Sequence, residues 1–239
     1  MYKIQTSLET MSLTVIIPFF NEEKTLADSI FRVLNENIDL KILLVDDKST
    51  DKSFEIANKF VQNYQNIDLI QNETNLGKGA ALSLSQEFIN TSHVIIHDAD
   101  LEYFPSDFHK ILEKSNQHPN SMILGSRFIG KKTRKNVYKR TFIANKVMSL
   151  FFSIVHFVKI TDIATCYKLL PADFFKQVKI IEKGFSIEVE IVSKFLKHNK
   201  SVYEVPISYS GRSYEEGKKI KIVDGFYYLV NTIKYRILN

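Results

Sequence analysis

The sequence predicts an α/β fold in which a mostly parallel β-sheet carries helices on both faces. Along the first half of the chain, short runs rich in Ile, Leu and Val alternate with segments of helical spacing. This alternation is typical of repeated strand–helix units. A chain of 239 residues, 44% of them hydrophobic, can also enclose one substantial core.

The predicted strands are brief apolar runs bounded by polar or turn residues, as buried parallel strands are. We expect them at residues 13–18, 41–46, 67–71, 93–97 and 121–125. Apolar residues at helical spacing predict the intervening helices at residues 22–35, 51–62, 78–89 and 106–115. The second half predicts helices at 142–158 and 186–198, a strand at 202–205 and an amphipathic, aromatic-rich helix at 218–238. No segment of the sequence has a composition convincing enough for a linker between domains, so we expect a flexible tail at 1–12 and a single domain at 13–239.

Charge is distributed unevenly along the chain. Residues 1–120 carry 10 basic and 18 acidic side chains, whereas residues 121–239 carry 22 basic and 9 acidic ones. The acidic half suits a metal ion, and the basic half suits an anionic lipid, a nucleic acid or a phosphate.

The composition also indicates a cellular compartment. The single cysteine, Cys166, excludes an intrachain disulfide framework and favours a reducing environment. The sequence shows neither the charged-then-apolar pattern of a signal peptide nor the roughly 18 uncharged apolar residues of a membrane span. We therefore expect a cytoplasmic protein without a transmembrane segment.

Polar residues follow the first two predicted strands, at the sheet edge where ligands of such folds collect. After the first strand come Pro18, Asn21 and Glu22, and we expect Asn21 to cap the next helix, whose N-terminus can face an anion or a ribose. The second strand ends at Asp46 and Asp47, two carboxylates that cannot both be buried cheaply. One of them is therefore expected to hydrogen-bond a nucleobase or ribose.

The third and fourth strands end in a glycine-rich loop and an acidic loop. Gly77 and Gly79 flank Lys78, which favours either close approach to a phosphate or simply a tight turn. The fourth strand runs into Asp98-Ala99-Asp100-Leu101-Glu102. On an extended backbone alternate side chains share a face, so the three carboxylates predict a site for Mg²⁺ or Mn²⁺.

These four segments, in this order, resemble the family 2 glycosyltransferases with the GT-A fold of nucleotide-diphospho-sugar transferases. The branch most similar to them contains dolichyl-phosphate mannose synthase and other polyprenyl-phosphate hexosyltransferases. The matching motifs are VIIPFFNEE, LLVDDKSTD, NLGKGAAL and HDADLEYFP, followed by Gly125-Ser126-Arg127 and a segment at 161–168. Cys166 departs from the Gly or Ser expected at its position.

The resemblance implies inverting transfer of a hexose from a nucleotide-diphosphate sugar, of the GDP-mannose or UDP-glucose type, to a polyprenyl or dolichyl phosphate. Residues 13–125 would form the nucleotide and metal half, and residues 126–239 the acceptor half with interfacial helices. The implied nucleotide-binding residues are Pro18, Asn21, Glu22, Asp46, Asp47, Lys78, Asp98 and Ala99. The implied metal ligands are Asp98, Asp100 and Glu102, and the implied catalytic residues are Asp100, Asp162 and Arg127.

The acceptor determines whether a general base is needed. A sugar hydroxyl would need one, and Asp162 is the first candidate. A phosphate monoester is already largely ionised at neutral pH and needs cations instead, for which the resemblance implies Arg127, Arg212 and Lys219.

A basic run at 131–140 carries six basic residues and no acid, and the apolar helix at 142–158 follows it directly. This pairing predicts peripheral docking on an anionic membrane surface, at the cytoplasmic face. The alternative is a core helix preceded by a solvated loop.

Three other functions are compatible with the sequence to different degrees. The first is a soluble family 2 enzyme that uses a sugar hydroxyl in polysaccharide or cell-envelope glycan synthesis. The second is a nucleotidylyltransferase, although the loop after the first strand lacks the glycine and arginine typical of that class. The third is a non-enzymatic module that binds nucleic acid or membrane through the basic half, whereas the main interpretation predicts no nucleic-acid partner.

Overall fold

The computed structural model describes residues 11–130, 134–135, 139–198, 200–211 and 222–237. The strands are β1 (Leu13–Phe19), β2 (Leu40–Asp46), β3 (Ile67–Gln71), β4 (His93–Ile96), β5 (Met122–Ser126), β6 (Arg134–Lys135), β7 (Lys168–Pro171), β8 (Val202–Pro206) and β9 (Tyr209–Ser210). The helices are α1 (Leu26–Leu34), α2 (Ser53–Asn63), α3 (Lys78–Ser85), α4 (Phe108–Gln117), α5 (Lys139–His156), α6 (Ala172–Gln177), α7 (Ile187–Lys197) and α8 (Ile222–Ile237).

Seven strands form one sheet in the order β3-β2-β1-β4-β7-β5-β8. Strand β7 is antiparallel to both of its neighbours, and the other neighbouring pairs are parallel. The predicted mostly parallel sheet is therefore confirmed. The sequence did not predict β7 or α6, because the four residues of β7 are too few to show a period.

The register of the sheet brings the ends of its first strands together. Phe19 at the end of β1 pairs with Asp46 of β2, and Asp46 pairs with Gln71 of β3. Strand β4 runs parallel to β1, with Leu13 opposite His93. The loops after these four strands consequently lie along one edge, as expected from the parallel topology.

Burial in the core explains why the sequences of the central strands β1 and β4 are almost entirely apolar. Every residue of β1 is buried, and so is every residue of β4. Each buried Ile, Leu or Val side chain contributes roughly 1.5–3 kcal/mol relative to an exposed one. A strand covered by helices on both faces gains this stabilisation at each position, which holds the loops at its carboxyl end in place.

Several predicted boundaries move by a few residues. Helix α1 begins at Leu26 rather than at residue 22, because residues 22–25 form a turn in which the Glu22 carbonyl accepts the N–H groups of Thr25 and Leu26. The helix predicted at 78–89 ends at Ser85 and continues as one 3₁₀ turn, Gln86–Phe88.

Helices α5 and α8 pack against each other and each presents an apolar stripe to solvent. Within the described residues, the α5 stripe consists of Ile143, Val147, Leu150, Ile154 and the adjoining Phe157, which are between 56% and 85% exposed. The α8 stripe consists of Phe226, Val230, Ile233 and Ile237. The opposite side of α5 is buried through Ser149, Phe152 and His156. Helix α5 is therefore only partly a core helix, because one of its apolar sides is exposed. No described helix combines the length and hydropathy needed to cross a bilayer.

Candidate active site

Asp46 organises the loop that follows β2. Its Oδ1 accepts hydrogen bonds from the backbone N–H of Ser49 at 2.9 Å and from the Ser49 hydroxyl at 2.6 Å. Its Oδ2 accepts from the Gln71 side chain at 2.6 Å. The carboxylate is fully buried, so these donors compensate the cost of removing it from water.

Asp47 fixes the start of the glycine-rich loop. Its Oδ1 accepts from the Asn72 side chain at 2.7 Å and from the Leu76 N–H at 3.0 Å, and its Oδ2 accepts from the Gly77 N–H at 2.7 Å. Both adjacent carboxylates are therefore buried and satisfied by the protein itself. Donors within the protein thus offset the cost that was expected from burying both, and contact of either carboxylate with a nucleobase or ribose stays a prediction.

Asn21 does not cap α1 as expected, because its side chain hydrogen-bonds the loop after β2 instead. Its Oδ1 accepts from the N–H of Thr50 at 2.8 Å and from that of Asp51 at 3.3 Å. A positive φ of 54° turns Asn21 towards this loop, a conformation that asparagine tolerates better than most residues. Pro18 is buried within β1, and Glu22 donates its N–H to the Ser53 hydroxyl at 2.8 Å.

The two glycines around Lys78 are required by a neighbouring loop. Gly77 has a φ of 94°, and a Cβ on it would lie 2.5 Å from the carbonyl oxygen of Lys183. A Cβ on Gly79 would lie 1.7 Å from the carbonyl oxygen of Glu182, and the Gly79 N–H donates to the Lys183 carbonyl at 2.8 Å. Close packing against residues 182–183 thus explains the glycines without invoking a phosphate.

Lys78 joins the glycine-rich loop to the acidic loop. Its Nζ lies 2.8 Å from Asp98 Oδ1 and 2.8 Å from Glu188 Oε1. Burial disfavours the ammonium, but the Asp98 and Glu188 carboxylates outweigh burial and hold the pKa of Lys78 well above its ordinary value. Burial likewise raises the pKa of Asp98, yet the charge and hydrogen bond of Lys78 bring it below its usual value. Both groups are charged at neutral pH.

The acidic loop does not continue β4 as an extended segment. Strand β4 ends at Ile96, and Leu101 has a φ of 64°, which is unfavourable for a leucine and turns the chain. Asp100 Oδ1 accepts the Glu102 N–H at 3.2 Å, and Glu102 Oε2 accepts the Tyr209 hydroxyl at 2.6 Å. Glu102 therefore does not share one face with the two aspartates.

The described residues contain no group of three or more His, Cys, Asp or Glu arranged to hold a metal ion. The prediction of three carboxylate ligands is corrected accordingly. Asp98, whose side chain is 28% exposed, and the partly buried Asp100 remain oxygen donors at this edge, and Ala99 between them is buried. One or two carboxylates, completed by substrate phosphates and water, are the donors that Mg²⁺ usually takes, so this pair fits such an ion.

Arg127 and Asp162 form a buried bidentate ion pair. Arg127 Nε lies 2.7 Å from Asp162 Oδ2 and Arg127 Nη2 lies 2.8 Å from Oδ1, while the Arg127 N–H also donates to Oδ2 at 2.9 Å. Asp162 is 0% exposed, and the guanidinium packs over the rings of Tyr103 and Tyr209. This geometry argues against Asp162 as a general base and against Arg127 as a cation for the acceptor phosphate. The other predicted phosphate ligands, Arg212 and Lys219, lie outside the described residues, as does most of the basic run at 131–140.

His97, which precedes Asp98, is locked in the core as a neutral imidazole. Its Nε2 pairs with the Ser29 hydroxyl at 3.0 Å and its Nδ1 with the Tyr167 hydroxyl at 3.1 Å. Burial lowers the pKa of His97 to about 4. The nearby negative charge of Asp98 opposes this shift, and the positive charges of Arg32 and Lys78 add to it. His156 has its pKa lowered to about 4 chiefly by burial as well.

The low pKa values of these two histidines predict that the protein loses stability in mild acid. The unfolded chain takes up a proton on each histidine below about pH 6.5, whereas the folded state does so only near pH 4. The free energy of unfolding should therefore fall between pH 7 and pH 5, by roughly 2 kcal/mol from His97 alone. Urea titrations at the two pH values measure this change. His97→Gln should show a shallower dependence, and a flat profile for the unmodified protein would contradict the prediction.

Comparison with known proteins decides the family. The family model for Glycosyl transferase family 2 matches residues 14–179, which span every element from β1 to α6. The chain belongs to glycosyl transferase family 2. As predicted, it is a glycosyltransferase.

Named relatives of this family 2 glycosyltransferase agree with the predicted branch. It is 26% identical to a dolichol-phosphate mannosyltransferase of Pyrococcus furiosus over 212 residues, which cover 87% of this chain and 59% of that protein. It is 23% identical to a dolichyl-phosphate beta-glucosyltransferase of Trichomonas vaginalis over 228 residues, which cover 88% and 68% of the two chains.

A solved structure supports the fold. The glucosyl-3-phosphoglycerate synthase of Mycobacterium tuberculosis, crystallised with UDP, superposes with a TM-score of 0.69 at 14% identity, covering 95% of this chain and 80% of that one. At this level of identity the likeness concerns the fold alone, and it confirms the predicted GT-A fold of this family 2 glycosyltransferase.

Sequence reasoning missed the partners of Lys78. Glu188 lies in the first turn of α7, and Lys168, at the start of β7, places its Nζ 2.5 Å from Glu188 Oε2. The Cys166 thiol is buried beside the same cluster, 3.7 Å from Lys78 Nζ, and burial raises its pKa well above the usual value. Lys168 ends the matching segment at 161–168, whereas Glu188 lies 20 residues further along the chain, and only the unpredicted strand β7 brings Lys168 to the site.

Proposed function

We propose that this glycosyltransferase transfers a hexose from a nucleotide-diphosphate sugar to a polyprenyl or dolichyl phosphate. The donor would lie along the edge formed by the loops after β1, β2, β3 and β4. Asp98 and Asp100 would hold Mg²⁺ or Mn²⁺, which when bound neutralises the departing nucleoside diphosphate. Pro18, Asn21, Glu22 and the loops fixed by Asp46 and Asp47 would shape the pocket around the nucleoside.

The choice of acceptor rests on a chain of contacts that connects helix α8 with the donor edge. On α8, Lys234 Nζ and the Tyr235 hydroxyl lie 2.8 Å and 2.7 Å from Glu182 Oε1. The loop containing Glu182 packs directly on Gly79, next to Lys78. A lipid seated on the α8 stripe would therefore lie on a helix that contacts the loop beside Lys78.

Burial of the Arg127–Asp162 pair also favours a phosphate acceptor. A phosphate oxygen is already ionised at neutral pH and needs no base to attack the anomeric carbon. A sugar hydroxyl needs a base within hydrogen-bonding reach, and Asp162 is held by Arg127 at both oxygens. The names of the dolichyl-phosphate relatives point to the same acceptor class.

A panel assay tests the proposed reaction. The purified chain is incubated with GDP-mannose, UDP-glucose or UDP-N-acetylglucosamine, with Mn²⁺ or Mg²⁺, and with either polyprenyl phosphate or a soluble oligosaccharide. We expect a charged glycolipid with at least one donor and only in the presence of the metal. Transfer to the oligosaccharide but not to the lipid phosphate would replace the proposal by the alternative, a soluble enzyme with a hydroxyl acceptor.

We further propose that the α5 and α8 stripes rest on the cytoplasmic, anionic surface of a membrane. Neither Asp nor Glu occurs between residues 114 and 161, whereas Arg140, Lys146 and Lys159 are exposed along and after α5. On α8, Arg236 is exposed and its guanidinium lies 5.6 Å from the centre of the Phe157 ring. Apolar side chains rimmed by cations are the composition of helices that lie in the interface of anionic bilayers.

Charged substitutions in the α5 stripe should release the protein from vesicles. Leu150→Glu with Ile154→Glu places two carboxylates in an apolar surface, and we expect at least about a tenfold loss of partitioning into phosphatidylglycerol vesicles. Phe54→Glu, a matched change at an exposed position of α2, should bind as the unmodified protein does. Co-sedimentation measures both. A stable dimer that the double variant dissociates, without vesicle binding by any form, would show that the surface joins two copies instead.

A further inference from the structure

The Lys78 ammonium is shared between two carboxylates that come from different parts of the chain. Asp98 follows β4, and Glu188 lies in the first turn of α7, each with one oxygen 2.8 Å from Lys78 Nζ. The Glu188 side chain is 5% exposed and the Lys78 side chain is 13% exposed. The lysine is therefore held in position by a group that faces the protein interior.

A second lysine completes the row of charges. Lys168 Nζ lies 2.5 Å from the other Glu188 oxygen, and it also donates to the backbone carbonyls of Ile163 and Thr165. Lys168 is fully buried. The order Asp98, Lys78, Glu188, Lys168 alternates in sign, so each charge except the terminal ones has an opposite charge on both sides.

This order determines how much of the Lys78 charge acts on Asp98. With Glu188 ionised, Lys78 neutralises Asp98 only in part, and Asp98 keeps an attraction for a divalent cation. With Glu188 neutral, the same ammonium would act on Asp98 undivided and would oppose a cation at this edge. Charges a few ångströms apart in a partly buried site interact strongly enough for this difference to matter.

We propose that Glu188, backed by Lys168, is a positioning residue that sets the metal affinity of the donor site through Lys78. This inference rests on the proposed donor site at Asp98 and Asp100. Glu188 itself is buried, and its two carboxylate oxygens lie against Lys78 and Lys168.

Manganese binding in the presence of a nucleoside diphosphate tests this role. Free Mn²⁺ is titrated by electron paramagnetic resonance with the full chain and with GDP or UDP, and nucleotide binding is measured separately in EDTA. For Glu188→Gln we expect about tenfold weaker Mn²⁺ binding, because an uncompensated positive charge then lies beside Asp98. Metal-free binding of the nucleoside diphosphate should be unchanged or tighter. General damage to the fold would weaken both, so equal losses would overturn the proposal.

Asp107→Asn is the matched control. Asp107 is a buried carboxylate that accepts the Ser208 N–H at 2.7 Å and lies 3.5 Å from Lys110 Nζ. This variant also removes one buried charge but lies outside the row, and it should leave Mn²⁺ affinity within about twofold of the unmodified protein. A loss equal to that of Glu188→Gln would mean that any buried charge change weakens the site, which would overturn the proposal.

A double-mutant cycle shows whether Glu188 acts through Lys78. In a Lys78→Met background, Glu188→Gln should change Mn²⁺ affinity by less than about twofold, since the group that it positions is gone. A tenfold effect in that background would overturn the proposal. If Glu188→Gln alone does not fold, Glu188→Asp takes its place: it keeps a carboxylate for Lys168 but draws it away from Lys78, so it should also weaken Mn²⁺ binding, and an unchanged affinity in a folded Glu188→Asp would overturn the proposal.

The outcomes separate this inference from the proposed function. If the unmodified chain shows no metal-dependent binding of GDP or UDP, the donor site is wrong and the inference falls with it. If the unmodified chain binds and Asp100→Asn does not, while Glu188→Gln binds Mn²⁺ normally, the donor site stands and only the role of Glu188 is rejected.

Discussion

Asp100→Asn should lower hexose transfer by at least about 10³-fold and abolish metal-dependent nucleotide binding. The neutral amide is a poor ligand for Mg²⁺ or Mn²⁺, and a metal that neutralises a leaving diphosphate contributes several kcal/mol, of which each 1.4 kcal/mol is worth about tenfold in rate. Asp100 is only partly buried, on a loop turned by Leu101 at a φ of 64°. The substitution should therefore leave the free energy of unfolding within about 1 kcal/mol of the original value.

The measurements are the transfer assay, nucleotide titration with and without Mn²⁺, and urea unfolding. Asp173→Asn is a suitable control, because Asp173 is 91% exposed and follows β7, whose antiparallel direction brings it to the opposite edge of the sheet. It should be indistinguishable from the unmodified enzyme in all three. Full transfer by Asp100→Asn would remove the metal site from the mechanism and would leave Lys78 to neutralise the diphosphate alone.

Strand-end motifs could be predicted from the sequence because they depend on local order. The apolar runs of β1 and β4 are buried at every position and that of β2 at all but one, and parallel topology then brings the loops after β1 to β4 to one edge regardless of the details of packing. Asp98, Lys78 and Asp47 were located in this way. What the motifs could not show is which neighbour each side chain binds, since that depends on residues far along the chain.

Two examples show this limit. A tight turn at the glycines around Lys78 was one of the two expectations and is present, since Gly77 has a φ of 94° at the start of α3, but the sequence did not show that residues 182–183, more than 100 positions further on, also limit their space. Glu102 was assigned to a metal by counting alternate residues, but a positive φ at Leu101 breaks that alternation. Strand β7 is too short to show a periodic pattern of apolar residues. The contact between Lys168, on β7, and Glu188 could therefore not be predicted either.

The Arg127–Asp162 pair predicts the largest loss of stability. Asp162→Asn leaves a buried guanidinium without its charge partner, and breaking one side of a buried ion pair typically costs about 3–5 kcal/mol. Asp162 Oδ2 also accepts the Arg127 backbone N–H, so the turn after β5 should loosen as well. We expect the free energy of unfolding, measured in urea, to fall by several kcal/mol, with activity following the folded fraction.

The double variant Arg127→Met/Asp162→Leu separates charge from packing. Because it removes both charges and fills the space with apolar atoms, it should recover a large part of the lost stability. Lys176→Met provides the exposed counterpart: Lys176 lies 3.9 Å from Asp173 near the surface, and a surface pair of this kind contributes about 0–1 kcal/mol. The opposite result would be equally informative. If Asp162→Asn unfolds at the original urea concentration yet cannot transfer a hexose to a hydroxyl acceptor, Asp162 acts as the base that its motif first implied. The ion pair with Arg127 would then have to open during the reaction.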